Sequence, residues 1–165
     1  MPLVLNSSSI TGLAAVGGLS SPQTGSVLQV VNATSSTEYS TSSATFVATG
    51  FTASITPSSS SSKILLTARV PVRSNNSQSP YGSVSWYRGG SALITTNTYE
   101  GGATTSAGNQ QDIRLVVPQF ILDSPATTSS VTYSLYFVCN SGAGSMYVNP
   151  NSAFTTSIIL MEIAA

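Results

Sequence analysis

The sequence predicts an all-β fold: an antiparallel, jelly-roll-like β-sandwich knob preceded by an extended N-terminal arm. Three observations carry that expectation. Apolar residues alternate with polar ones at a period of two in stretch after stretch, the signature of strands whose successive side chains point to opposite faces. No stretch has a helical period over a useful length. Ser, Thr and Gly clusters punctuate the apolar stretches as turns. With 41% apolar residues the 165-residue chain has enough to bury a real core, so it reads as one domain and an arm, not a low-complexity linker.

Residues 1–25 form the arm. They combine Leu3, Val4, Leu5, Ile10, Leu13, Val16 and Leu19 with Gly12, Gly17, Gly18, Pro22 and Gly25, and show neither period. Ordering backbone costs about 1–2 kcal/mol per residue. Such a segment therefore needs a surface to dock on, either a neighbouring subunit or another partner. Residues 26–165 are the sandwich. A first strand is expected at Val27–Asn32. A second runs through Thr45–Pro57, with a bulge or bend at Gly50. Ser58–Ser62, a five-serine run, reads as a solvent-facing turn. From Lys63 the strand KILLTARVPVR places Ile64, Leu66, Ala68, Val70 and Val72 on one face and Thr67, Arg69 and Arg73 on the outer or intersubunit face. Pro71 cannot donate to a ladder and favours a strand end or a sheet edge. Residues 74–82 are expected as a loop, 83–96 as a hairpin turning at Gly89-Gly90, and 97–111 as a long polar loop. Three strands follow: 112–122 with Ile113, Leu115, Val117, Gln119 and Ile121 in phase, 131–139, and a short one at 146–149 after a glycine turn. The last segment, FTTSIILMEI, has Ile158 and Leu160 on one face and Ile159 and Met161 on the other. Two apolar faces predict cover on both sides, with Ile159 and Met161 under a subunit contact or the strand central in the sandwich. Eight or nine strands result.

Charge is scarce and balanced, with five basic and five acidic residues, and polarity comes from 32 Ser and 20 Thr. A chain without clustered Lys and Arg is poorly suited to nucleic acid. No run of eighteen apolar residues predicts a membrane span, and MPLVLNSSS lacks the basic start of a secretory signal. A hydroxyl-rich, weakly charged surface suits a protein displayed outside a cell or on a particle.

Chemistry is largely excluded by inventory. There is no histidine, and Cys139, the single cysteine, lies in phase with Val131, Tyr133, Leu135 and Phe137 and is expected to be a buried core thiol. No disulfide, cysteine-based zinc site or cofactor is expected, and no catalytic residue is assigned. Glu100 and Asp112, flanking the long polar loop, are the best pair for a glycan hydrolase, a reading weaker than that of solvated carboxylates. Glu162, among Ile159, Met161 and Ile163, is a candidate to pair with an Arg of a neighbouring strand or subunit. Tyr81, Tyr87, Arg88 and Tyr99 are the candidates for a receptor-facing surface, because aromatic and Arg side chains near loop tips favour recognition. Trp86, in phase with Val84, is expected in the core.

The stretches GSVLQVV (25–31), TFVATGFTASITPSSSSSKILL (45–66) and WYRGGSALI (86–94), with the opening LVLNSSSITGLAAVGGL, resemble small structural proteins and tail-fibre tips of tailed phages, especially cyanophages and marine phages. The resemblance implies a non-enzymatic virion protein, made in the host cytoplasm and carried on the particle surface. It also implies a homotrimeric knob that contacts other virion proteins through its arm and has a host glycan or protein as its partner. A tail-fibre or receptor-binding tip is favoured over a capsid decoration (cement) protein, with a glycan-binding module or glycan hydrolase as a further alternative.

Overall fold

In the computed structural model, residues 22–76, 82–94, 113–139 and 144–165 are described. They form ten strands and no α-helix: β1 (Val27–Ser35), β2 (Tyr39–Thr41), β3 (Val47–Ile55), β4 (Lys63–Asn76), β5 (Gly82–Arg88), β6 (Ser91–Ala92), β7 (Ile113–Asp123), β8 (Val131–Cys139), β9 (Gly144–Val148) and β10 (Thr156–Ile163), with one 3-10 turn at Pro150–Ser152. One sheet has the order β1-β10-β4-β9-β2, with β7 on the other edge of β4, and the second has the order β3-β8-β5-β6. All pairings are antiparallel. The chain thus alternates between a sheet β1-β10-β4-β7 and a sheet β3-β8-β5-β6. This is the strand order of a jelly roll, the expected fold.

The core lies between these two four-stranded layers. Ile64, Leu66 and Val70 of β4 meet Trp86 of β5, Tyr133, Leu135 and Phe137 of β8, and Ile158 and Leu160 of β10, all 0–1% exposed. The alternation read in β4 and β10 is therefore real, and Trp86 and Cys139 are buried as expected. At Gly82 a Cβ would stand 2.3 Å from the Met146 sulfur and 2.4 Å from the Val138 carbonyl, so β5 can start there only with a glycine. The β5–β6 hairpin turns on Gly89 and Gly90 at φ +55° and +84°, between the paired residues Arg88 and Ser91. Two positive φ values make the primed turn that matches strand twist, which glycine adopts without strain. The expected irregularity at Gly50 is a register shift between Ala48 and Thr52. Thr49 repairs it: its hydroxyl donates to the Leu135 carbonyl (2.9 Å) and accepts from the Phe51 N–H (3.1 Å).

Several expectations need correction. Ser74–Asn76 continue β4 and are not loop, because β9 and β7 flank the strand there. Pro71 lies inside this central strand. On the edge it faces, β10 pairs as far as Arg69 and β9 starts at Val72. Its carbonyl accepts from the Asn149 N–H at 3.0 Å. The N–H and C=O of one strand residue point to the same side, so the missing donor falls at this seam and β7 loses nothing. The return strand of the hairpin is only two residues long. β2, three residues in a Ser/Thr-rich stretch, has too little apolar content to be read from sequence.

The serine run is more than a solvent-facing turn. Ser58 donates its N–H (2.7 Å) and its hydroxyl (2.6 Å) to Glu162 Oε1, and Gln29 donates to Glu162 Oε2 at 2.7 Å. Glu162, 0% exposed, is thus held by Ser58 and Gln29, and among the described residues the ion pair within the chain is Arg88–Asp123. Glu162 ties β1 and β10 to the β3–β4 turn. Burial alone would raise its pKa, but the hydrogen bonds outweigh burial and hold it at about 2, below the ordinary 4.5. The unfolded chain takes up this proton near 4.5 and the folded chain only near 2. The stabilisation is thus complete above 4.5 and is lost as pH falls toward 2. Thermal melts across that window are expected to fall more steeply for the native chain than for Glu162→Gln, and parallel curves would contradict this role.

Candidate functional site

The outer face of the first sheet is the most unusual surface of the molecule. Since Ile158, Leu160 and Glu162 point inward, Ile159, Met161 and Ile163 point out, and register carries this face across four strands. Val30, Met161, Leu65 and Leu122 are lateral neighbours in one row, and Asn32, Ile159, Thr67 and Phe120 in the next. Phe120 is 67% exposed, Val30 57%, Leu122 54%, Val27 52% and Val116 44%. Every large exposed hydrophobic among the described residues lies on this one face. Scattered surface apolar residues need no explanation, but a contiguous apolar face marks an interaction surface. Lys63 borders the apolar rows at one end and Arg69 at the other, both exposed. Arg73, further along β4, lies 4.1 Å over the Tyr147 ring.

Ile159 and Met161, expected as subunit contacts, fall in the middle of this face, half-buried by their neighbours. Val116, Phe120 and Leu122 are not among the contacts expected from sequence. The run VVPQFIL is apolar on both faces, so period alone marks neither as exposed. The arm residues Leu3, Val4, Leu5, Ile10, Leu13, Val16 and Leu19 lie outside the described residues, as do Tyr81, Tyr99, Glu100 and Asp112. The chain is already anchored where the arm ends: Gly25 N–H donates to the Ala164 carbonyl (2.7 Å) and Ala164 N–H to Ser26 (2.9 Å). The arm thus joins the sandwich at the corner where Val27 meets Ile163, at the edge of the apolar face.

The outer face of the second sheet is chemically opposite. Thr52, Ser134 and Tyr87 form one row, Ser54 and Thr132 another, and Tyr136 stands between Ala48 and Ser85. Tyr87 stacks on Tyr136 with centroids 3.7 Å apart and planes 14° from parallel, and Phe46 lies 6.1 Å away. Burial, then the proximity of Tyr136, raises the Tyr87 pKa. Tyr87 is thus outward and half-exposed, as expected. Arg88 is not presented in the same way. It points between the sheets and donates to both Asp123 oxygens, at 2.9 and 2.7 Å, while Tyr133 OH donates to Asp123 at 2.8 Å. Burial, then this hydrogen bond to Asp123, raises the Tyr133 pKa strongly. The trio joins the end of β7 to β5 and β8, which makes Arg88 an inter-sheet clamp.

The described carboxylates are all engaged structurally: Glu162 and Asp123 as above, and Glu38 accepts the Asn151 N–H. No group of three metal-ligating side chains occurs among the described residues. Asn149, 0% exposed, organises the end of the sandwich. Its amide donates to the Ser35 (2.8 Å) and Thr37 (3.0 Å) carbonyls and accepts from Thr156 Oγ1 (2.8 Å), in a left-handed conformation at φ 53°.

No protein-family model matches the chain, and no curated protein matches it in sequence. Among solved structures it is similar to the VP2 subviral particle of infectious bursal disease virus, at 16% identity and TM-score 0.42 over 83% of this chain and 37% of that one. It is also similar to the T=1 particles derived from that virus and to its T13 particle, each at 15% identity and TM-score 0.40 over 83% of this chain and 36% of the other. The chain spans little more than a third of those proteins. At this level the likeness carries no argument about function.

Proposed function

We propose that this chain is a non-enzymatic structural protein of a virion surface, a homotrimeric knob of a tailed phage that serves as a tail-fibre or receptor-binding tip. The observation that carries the reading is the chemical opposition of the two sheet faces. One is apolar and needs cover, and the other is neutral, hydroxyl-rich and aromatic, suited to meeting the outside. The occupant of the apolar face is a neighbouring copy of the chain, with the arm of one copy crossing the face of the next. The arm from Leu3 to Leu19 has seven large apolar residues and no charged side chain. Fully extended it reaches about 55 Å, whereas four strands are only about 15 Å across, so it can span the face of an adjacent copy. Lys63 and Arg69 then lie in the polar rim that surrounds such contacts. The sequence resemblance supplies the virion assignment, and the absence of histidine and the structural engagement of the described carboxylates support a non-enzymatic role.

The test is copy number and retention on purified virions. A fibre tip is expected in tens of copies per particle, and removal of residues 1–21 is expected to leave a folded knob that is lost from particles. Hundreds of copies would favour a capsid decoration protein instead. Release of sugar from host envelope by the native chain would replace the reading with a glycan hydrolase.

A further inference from the structure

The face opposite the apolar one has a chemistry specific enough to name a ligand class. On the outer side of β3, β8 and β5 no described residue is charged, and the positions carry Thr, Ser, Tyr, Ala and Gly, with Val138 opposite Ser83 at one end. Arg88, next to Tyr87 in sequence, donates to Asp123 on the inner side. Such a face offers no attraction to an ionic ligand, for which the field of fixed charges is the usual determinant. It offers instead hydroxyls, each able to donate and to accept, around a raised aromatic pair. Ser54 and Thr132 bond each other at 2.8 Å, so these hydroxyls stand close enough for one ligand group to bridge them. Tyr87 and Tyr136 hold one another 3.7 Å apart on neighbouring strands, which fixes both rings without help from a ligand. A fixed aromatic surface gives contact area at low cost in side-chain entropy.

We infer that the Tyr87–Tyr136 pair and the surrounding hydroxyls of Thr52, Ser85 and Ser134 bind a neutral saccharide. A sugar ring combines an apolar C–H face, which matches an aromatic ring, with neutral hydroxyls that both donate and accept, which match Ser and Thr. Neither an anionic polymer nor a purely apolar ligand satisfies both halves of this surface. The described residues of this face belong to a sheet surface, so one site is weak, and three copies in a trimer raise the apparent affinity through effective concentration. The inference rests on the attachment reading for its biological setting and names the ligand class for it. It adds Tyr136 to the outward tyrosine found from sequence.

The experiment is an NMR titration of the isotope-labelled full-length chain with neutral oligosaccharides of glucose, galactose and mannose, and with a sulfated oligosaccharide as the charged comparison. At least one neutral oligosaccharide is expected to shift amide signals clustered around Tyr87, Tyr136 and Ser134, insensitively to salt. Tyr87→Ala with Tyr136→Ala is expected to weaken that binding at least tenfold, while Tyr136→Phe, which keeps the ring and its packing, retains most of it. Absence of shifts from every neutral sugar, or undiminished binding by the double variant with native-like spectra, would overturn the inference. Binding of the fluorescent native chain to host cells separates the two claims. Cell binding unaffected by the double alanine change would keep attachment and reject the saccharide site, whereas sugar binding without cell binding would keep the site and reject attachment.

Discussion

Replacing Phe120 and Leu122 together by aspartate is expected to give a folded single chain that no longer associates. Both side chains are more than half exposed in the isolated chain, at 67% and 54%. Their replacement therefore removes little from the core, and exposed substitutions usually change stability by less than about 0.5 kcal/mol. In the proposed trimer the same positions lie under the contact. Covering the exposed parts of Val27, Val30, Val116, Phe120 and Leu122 at about 25 cal/mol per Å² contributes on the order of 1 kcal/mol each. Two buried, unpaired carboxylates would cost several kcal/mol apiece, enough to abolish a contact of about 8 kcal/mol, which corresponds to micromolar affinity. Sedimentation velocity is expected to show one slow species with a melting temperature close to the native chain's. A variant that still associates fully would move the contact to another face, and one that fails to fold would place these residues in the core.

Asn149→Ala is expected to be the most damaging single substitution outside the apolar core. It leaves the Ser35 and Thr37 carbonyls and the Thr156 hydroxyl without their partner in a region that Asn149, 0% exposed, fills completely. It also puts alanine at φ 53°. Leaving the buried Thr156 hydroxyl unsatisfied costs about 1–3 kcal/mol, the half-buried Ser35 carbonyl less and the exposed Thr37 carbonyl little, and the left-handed conformation about 1 kcal/mol more, so a loss of about 3 kcal/mol is expected. For a domain of this size that lowers the melting temperature by roughly 10 °C. Asn149→Gly removes the backbone penalty but not the lost hydrogen bonds and is expected to recover only about 1 kcal/mol. A glycine variant as stable as the native chain would show that the amide hydrogen bonds contribute little.

Period-two alternation points to eight or nine strands and to the inward faces of β4 and β8, because Ile64, Leu66, Tyr133 and Leu135 contrast with most of what alternates with them; in β10, where Ile158 and Leu160 alternate with Ile159 and Met161, it does not choose between the faces. It failed where pairing decides the outcome. Glu162 and Ser58 are 104 residues apart, so their bond depends on how β10 and the β3–β4 turn meet in space. The role of Asn149 likewise depends on the distant carbonyls of Ser35 and Thr37 together with the nearby Thr156 hydroxyl, although Asn149-Pro150 is a recognisable turn signal. Pro71 was misplaced because its tolerance comes from a seam between β10 and β9, which no local rule contains. The apolar face was half-visible: Ile159 and Met161 announced it, but only the register Met161–Leu65–Leu122 shows that it crosses the whole sheet. The outward face of the second sheet was less legible still, since the packing of Arg88 on Asp123 and of Tyr87 on Tyr136 is tertiary throughout.

The mass of the native full-length chain in solution tests assembly through this face most directly. Light scattering at micromolar concentration is expected to give close to three times the 16.9 kDa of one chain. A stable species of 16.9 kDa at that concentration would contradict it.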